Sequence, residues 1–166
     1  MNSTQTAKTR VAVYIRIGGN QNCDPFLRME MGYYAMKASQ NQGGELVAFY
    51  SDVGKDSAKR PNLHRLLTDC RAGRFDLIVT RNATRIARDL DTVLSIMREL
   101  ASLSPPVGVY FEDYQFNSLS VDFSSLDNEP HNLHVAFGYG TKKYSIAKPM
   151  EKHKDQLQNS AVTAER

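Results

Sequence analysis

Four arginines in this chain fall where they could share one ligand, and their placement sets the chemistry to be explained. Arg16 stands near the end of the apolar run Val11-Ala12-Val13-Tyr14-Ile15-Arg16-Ile17-Gly18-Gly19, where a charge needs a partner. Arg60 precedes the proline of a helical pattern. Arg85 and Arg88 are three apart, so on a helix they project from one face. Asp52 closes a second apolar run. Guanidinium forks bind phosphate oxygens bidentately and stay charged at any working pH. A ring of them suits a phosphodiester better than a neutral ligand, with solvated arginines paired to Asp52, Asp76 or Asp89 as the plainer alternative.

The elements that must hold these residues follow from periodicity. Apolar runs at 11–17, 46–50, 77–80 and 107–111 suit strands buried on both faces. Between them lie helical patterns. After Asp24-Pro25, an N-cap and first-turn pair, Phe26, Met29, Tyr33 and Met36 recur at helical spacing until Gly43-Gly44. Pro61 opens a second helix with Leu63, Leu66, Leu67 and Cys70 on one stripe. The cleanest helix spans 89–103, with Leu90, Val93, Leu94, Met97 and Leu100 on one face. This alternation predicts an α/β domain: a mostly parallel central sheet, right-handed crossovers and helices on both faces. In such sheets function gathers at the carboxyl ends of the strands, and the arginines fall there.

The organisation expected along the chain is a flexible lead-in over 1–10 and the α/β domain over 11–118. A loop and an irregular C-terminal helix, interrupted by Gly138, Gly140 and Pro149, follow over 119–149, and a polar tail covers 150–166.

Bulk properties narrow the function classes. With 166 residues, 41% hydrophobic and 23% charged, the chain can bury a real core. No apolar run approaches the roughly 20 residues of a membrane span, and the start lacks the apolar segment of a secretory signal. The expected compartment is the cytoplasm, where Cys23 and Cys70 are free thiols. A net charge of +3 permits nucleic-acid binding without demanding it.

Other motifs carry less. Gly18-Gly19 lacks the full glycine spacing of a phosphate loop, and the nearest downstream lysine is Lys37. His64, His131, His134 and His153 do not make a metal set. Tyr33, Tyr34 and the other aromatics read as core or helix-interface residues, not base-stacking platforms. Lys142, Lys143, Lys148, Lys152 and Lys154 make the C-terminal region basic, as a solvated face or a track for a DNA backbone. Neither a cofactor nor a metal is implied.

Several longer stretches agree in order and spacing with one known family. "YIRI", "YSDVGKDSAKRPNLHRLLTDCRAGRFDLIVT", "RNATRIARDLDTVLSIMREL" and "VGVYFED" resemble the catalytic domain of serine site-specific recombinases, the resolvase/invertase family, nearest its large-serine branch. The resemblance runs through residues 10–118 and more weakly to 148. It implies a serine that attacks a DNA phosphodiester, arginines around the scissile phosphate, and dimers and tetramers that exchange the cut strands. It assigns Arg16, Arg60, Arg85 and Arg88 to the phosphate, with Tyr14, Asp52 and Thr84 in support. Thr84 stands where the family has Ser or Asp.

The nucleophile position falls on Gly18, which has no hydroxyl to attack with. Glu30 aligns with a family glutamine, which would bring a carboxylate near the phosphate. Ser51, beside Asp52 at a different strand end, and Ser57, in the loop that follows, are the hydroxyls weighed as stand-ins. The leading expectation is a degenerate, cleavage-inactive domain that acts by DNA binding, or by association with itself or a related recombinase. The alternatives are an active recombinase domain truncated or altered at the serine, and a protein-interaction domain with no DNA role.

Overall fold

The computed structural model describes residues 7–19, 23–40, 43–54 and 59–120. The expected loop beyond Ser120, the expected irregular C-terminal helix, the expected polar tail, Ser57, His131, His134, His153 and the C-terminal lysines lie outside them.

Within the described residues a five-stranded sheet forms in the order β2-β1-β3-β4-β5. Its strands are β1 (Thr9–Ile17), β2 (Gly44–Val53), β3 (Leu77–Thr80), β4 (Gly108–Phe111) and β5 (Phe116–Asn117). The first four pair in parallel, and β5 returns antiparallel to β4. The helices are α1 (Asp24–Gln40), α2 (Pro61–Arg71), the single turn α3 (Ala83–Ile86) and α4 (Leu90–Ala101).

The two-residue period of β1 divides the core. Ala12 and Tyr14 point to the face covered by α2 and α4, joining Leu66, Ile78, Val93, Met97, Val109 and Phe111. Val13 and Ile15 point to the other face, where Tyr34 of α1 meets them. Burial on both sides is why this strand is almost wholly apolar. The stripes expected on α2 and α4 are buried as a set. Asp89 caps α4 by accepting from the Thr92 backbone N–H at 2.8 Å.

Of the stripe expected on α1, only Tyr33 packs against the core. Phe26, Met29 and Met36 are 61%, 62% and 53% exposed. Leu27, Met31 and Tyr34 meet the sheet instead, at positions i, i+4 and i+7. At about 100° per residue the two stripes point in different directions, and the sheet takes the one carrying the buried tyrosine.

Strand β2 also runs further than its apolar residues suggest. Its register against β1 shifts between Val11 and Ala12, so that Val11 faces Leu46 while Ala12 faces Ala48. That one-residue slip sets Asp52 opposite Arg16.

Candidate functional site

The carboxyl ends of β1, β2 and β3 meet at one rim, and each sequence-derived candidate has a defined place on it. Tyr14 is fully buried, and its hydroxyl donates to Asp52 Oδ2 at 3.0 Å. Burial, then the neighbouring carboxylate, pushes the phenol pKa well up, so it stays a neutral donor. Asp52 also accepts from the backbone N–H groups of Asn62 (3.1 Å) and Leu63 (2.9 Å). Its carboxylate therefore caps the start of α2 and fixes that helix against the sheet.

Arg60, only 7% exposed, donates to the backbone carbonyls of Arg85 (3.2 Å) and Ile86. Its Nε has no hydrogen-bond partner among the described residues. Burial, then the charges of Arg16 and Arg88, lowers its pKa. The Arg60 guanidinium thus lies close enough to Arg16 and to Arg88 to feel the charge of each, with Asp52 partly offsetting them.

Arg16 donates from Nη2 to the carbonyl of Gly54 at 3.0 Å. Gly54 has φ +127, a left-handed turn that a residue with a side chain would enter only under strain. Arg85 donates from Nη1 to the carbonyl of Arg16 at 3.1 Å, joining α3 to the end of β1.

The sequence expectation for Arg85 and Arg88 needs correcting. Helix α3 ends at Ile86 because Ala87 is extended (φ −147, ψ 165), so the two arginines do not share a helix face. Arg85 lines a pocket with Arg16 and Gly18, whereas Arg88 lines a neighbouring hollow with Arg60 and His64. Thr84 is exposed and donates to Asn82 Oδ1 at 2.7 Å.

Gly18 is exposed at the mouth of the first pocket, about 410 Å³ in volume, and a Cβ placed there would have no atom within 4 Å. Sequence reasoning passed over three other members of its lining. Arg81, directly after β3, pairs with Glu30 (Nη2 to Oε1, 2.6 Å). The carboxylate expected to repel a phosphate is thus partnered inside the pocket. Cys23 and Phe26 line it too. The signal for Arg81 was present, since it is the first residue beyond a strand end. For Phe26 there was none, because its helical spacing reads as core.

Of the remaining candidates, Ser51 lies elsewhere on the rim, its carbonyl accepting from Asn62 Nδ2 at 2.8 Å. Among the described residues no three His, Cys, Asp or Glu side chains are grouped to hold a metal ion. Burial pushes the Cys70 thiol up to about 12, out of reach of thiolate chemistry. No helix among the described residues is long and apolar enough to cross a membrane. The carboxylates weighed as arginine partners have other tasks: Asp76 holds Arg10, and Asp89 caps α4.

Comparison with known proteins gives a consistent result. A family model described as the resolvase N-terminal domain matches residues 11–125. The fold is similar to a resolvase-family site-specific recombinase from Streptococcus pneumoniae, at 17% identity and a TM-score of 0.59 over 93% of this chain and 99% of the other. It is also similar to the N-terminal catalytic domain of TP901-1 integrase, at 20% identity and a TM-score of 0.52 over 75% and 98% of the two chains. No curated protein matches the sequence.

Proposed function

The chain belongs to the family of resolvase N-terminal domains, and from that premise we propose that it is a serine-recombinase-like domain that binds DNA phosphate without cleaving it. The observation that carries this reading is Gly18. It opens onto the pocket lined by Arg16 and Arg85, and no hydroxyl is attached. Phosphate-binding chemistry is retained at the strand ends and the attacking atom is missing. Arg60 and Arg88 extend the cationic rim beside the pocket. Tyr14 and Asp52 support the rim by fixing α2, and Thr84 by its bond to Asn82 before α3. Stable retention without cleavage suits a domain that acts through association with a second copy or with a related recombinase.

The test uses the full chain and duplex DNA. Reversible binding is expected, with affinity falling steeply as salt rises and no covalent adduct on a denaturing gel. Arg85→Ala is expected to weaken binding to all sequences and to reduce the salt slope by about 1. A trapped adduct would overturn the cleavage-inactive half. Absence of salt-dependent binding would overturn the phosphate half and favour a protein-interaction domain.

A further inference from the structure

The pocket beneath Gly18 has two chemically different walls. Arg16, Arg81 and Arg85 contribute cations from the ends of β1 and β3 and from α3. Opposed to a single carboxylate, Glu30, they leave the lining with two net positive charges by simple count of these four residues. Helix α1 contributes Phe26 and Met29, both more than half exposed. Isolated exposed apolar residues are ordinary on a protein surface. Here two large ones sit side by side on the wall of an arginine pocket, although α1 already has an inner face in Leu27, Met31, Tyr33 and Tyr34. Packing does not account for them.

We propose that this pocket takes a nucleotide whose base has left the stack, so that the domain prefers single-stranded or locally opened DNA to intact duplex. The inference rests on the phosphate-binding reading above and adds the substrate form. Sites for single strands combine a cationic track for the backbone with an aromatic side chain on which a base lies. Arg16, Arg81 and Arg85 supply the first, and Phe26, edged by Met29, supplies the second. A paired base in a duplex presents only its edges, because its faces are covered by its neighbours in the stack. Phe26 therefore gains a partner only when the strand is open. The volume of about 410 Å³ falls within the range of small-molecule sites and matches one nucleotide unit better than the body of a helix. Charge complementarity selects this occupant over an apolar protein partner, since the exposed residues share their pocket with three guanidinium groups.

The test compares fluorescein-labelled single-stranded DNA, the duplex of the same sequence, and an abasic single strand by anisotropy at fixed salt. The wild-type chain is expected to bind the single strand roughly tenfold more tightly than the duplex, and the abasic strand no better than the duplex. Phe26→Ala is expected to remove that preference, bringing single-strand affinity down to that of the duplex. Phe26→Trp is expected to retain it, and Phe26 is exposed enough for both variants to fold. Equal binding of single strand and duplex, or a Phe26→Ala variant with unaltered single-strand affinity, would overturn the inference and leave the phosphate reading standing. Failure to bind any of the three nucleic acids would instead remove the phosphate reading beneath it. A Phe26→Ala variant that changes the solution mass of the protein but not its single-strand affinity would assign this face to protein association and overturn the inference.

Discussion

The hydroxyl of Tyr14 and the carboxylate of Asp52, residues 38 positions apart in sequence on adjacent strands, are joined by a 3.0 Å hydrogen bond in the core. The same carboxylate holds the first turn of α2 through Asn62 and Leu63. A residue expected from the sequence to support a phosphate site is thereby a structural joint of sheet and helix. Tyr14→Phe is expected to cost about 1 kcal/mol, the usual net worth of one hydrogen bond. Asp52→Ala is expected to cost roughly 2–3 kcal/mol, because it strips a cap and leaves the Tyr14 hydroxyl buried without its acceptor. The double variant should be less destabilised than the sum, and urea midpoints of the four proteins measure that coupling. Strict additivity with a near-neutral Asp52→Ala would show that the carboxylate does not act as this joint.

Arg60 makes a second separable claim. Its guanidinium is almost wholly buried and spans the carbonyls of Arg85 and Ile86, so it supports the turn that presents Arg85. Arg60→Ala is expected to lose roughly 2–3 kcal/mol of stability, since two carbonyls lose a charged donor. Arg60→Lys should recover little, because a single ammonium cannot reproduce a planar fork. Thermal denaturation reads both. A stable Arg60→Ala protein would assign the residue to ligand binding alone.

Much of this fold is legible in the sequence wherever one period dominates. The apolar runs of β1 and β3 and the stripes of α2 and α4 each satisfy a single pattern, and all of them are observed. Helix α1 carries two apolar stripes, and only the sheet decides between them. The polar end of β2, Ser51-Asp52, does not look like strand, yet it pairs along its length with β1. Strand β5 has two residues, too few for any period to show. The candidate site was legible as a list of residue types at strand ends. Its grouping was not, because that depends on one register shift after Val11 and one extended residue at Ala87. Both are backbone events that side-chain spacing does not encode.

Acid should loosen the far end of the sheet. Asp76 accepts from the Arg10 backbone N–H (2.8 Å), Nε (3.1 Å) and Nη2 (2.7 Å), and the Arg10 side chain holds its carboxyl below the ordinary value. A carboxyl with a depressed folded pKa contributes stability that is fully present above the unfolded value, about 4. That contribution is lost as pH falls through the lower folded value. The pair is about a third exposed, so solvent screens it and the effect is modest. Asp76→Asn should flatten the fall in urea midpoint below about pH 4 while lowering the plateau slightly at neutral pH. An unchanged acid limb in that variant would place the acid sensitivity elsewhere.

Adjacent glycines at the site should respond oppositely to the same substitution. A Cβ at Gly18 meets nothing within 4 Å, and its φ lies outside the left-handed region. Gly18→Ala should therefore be neutral or stabilising by up to about 1 kcal/mol, through the loss of unfolded-state freedom. A Cβ at Gly19 would stand 2.9 Å from Cys23 Sγ, closer than real Cβ contacts, so that the thiol must move. Gly19→Ala should cost about 1 kcal/mol as an overpacked contact. Removing the sulfur in Gly19→Ala/Cys23→Ala should restore most of that loss, giving a coupling above about 0.5 kcal/mol. Urea titration of the single and double variants supplies the comparison. If Gly18→Ala proved the damaging change, the open space around Gly18 would be wrong, and the proposal that this pocket lacks only a hydroxyl would fall with it.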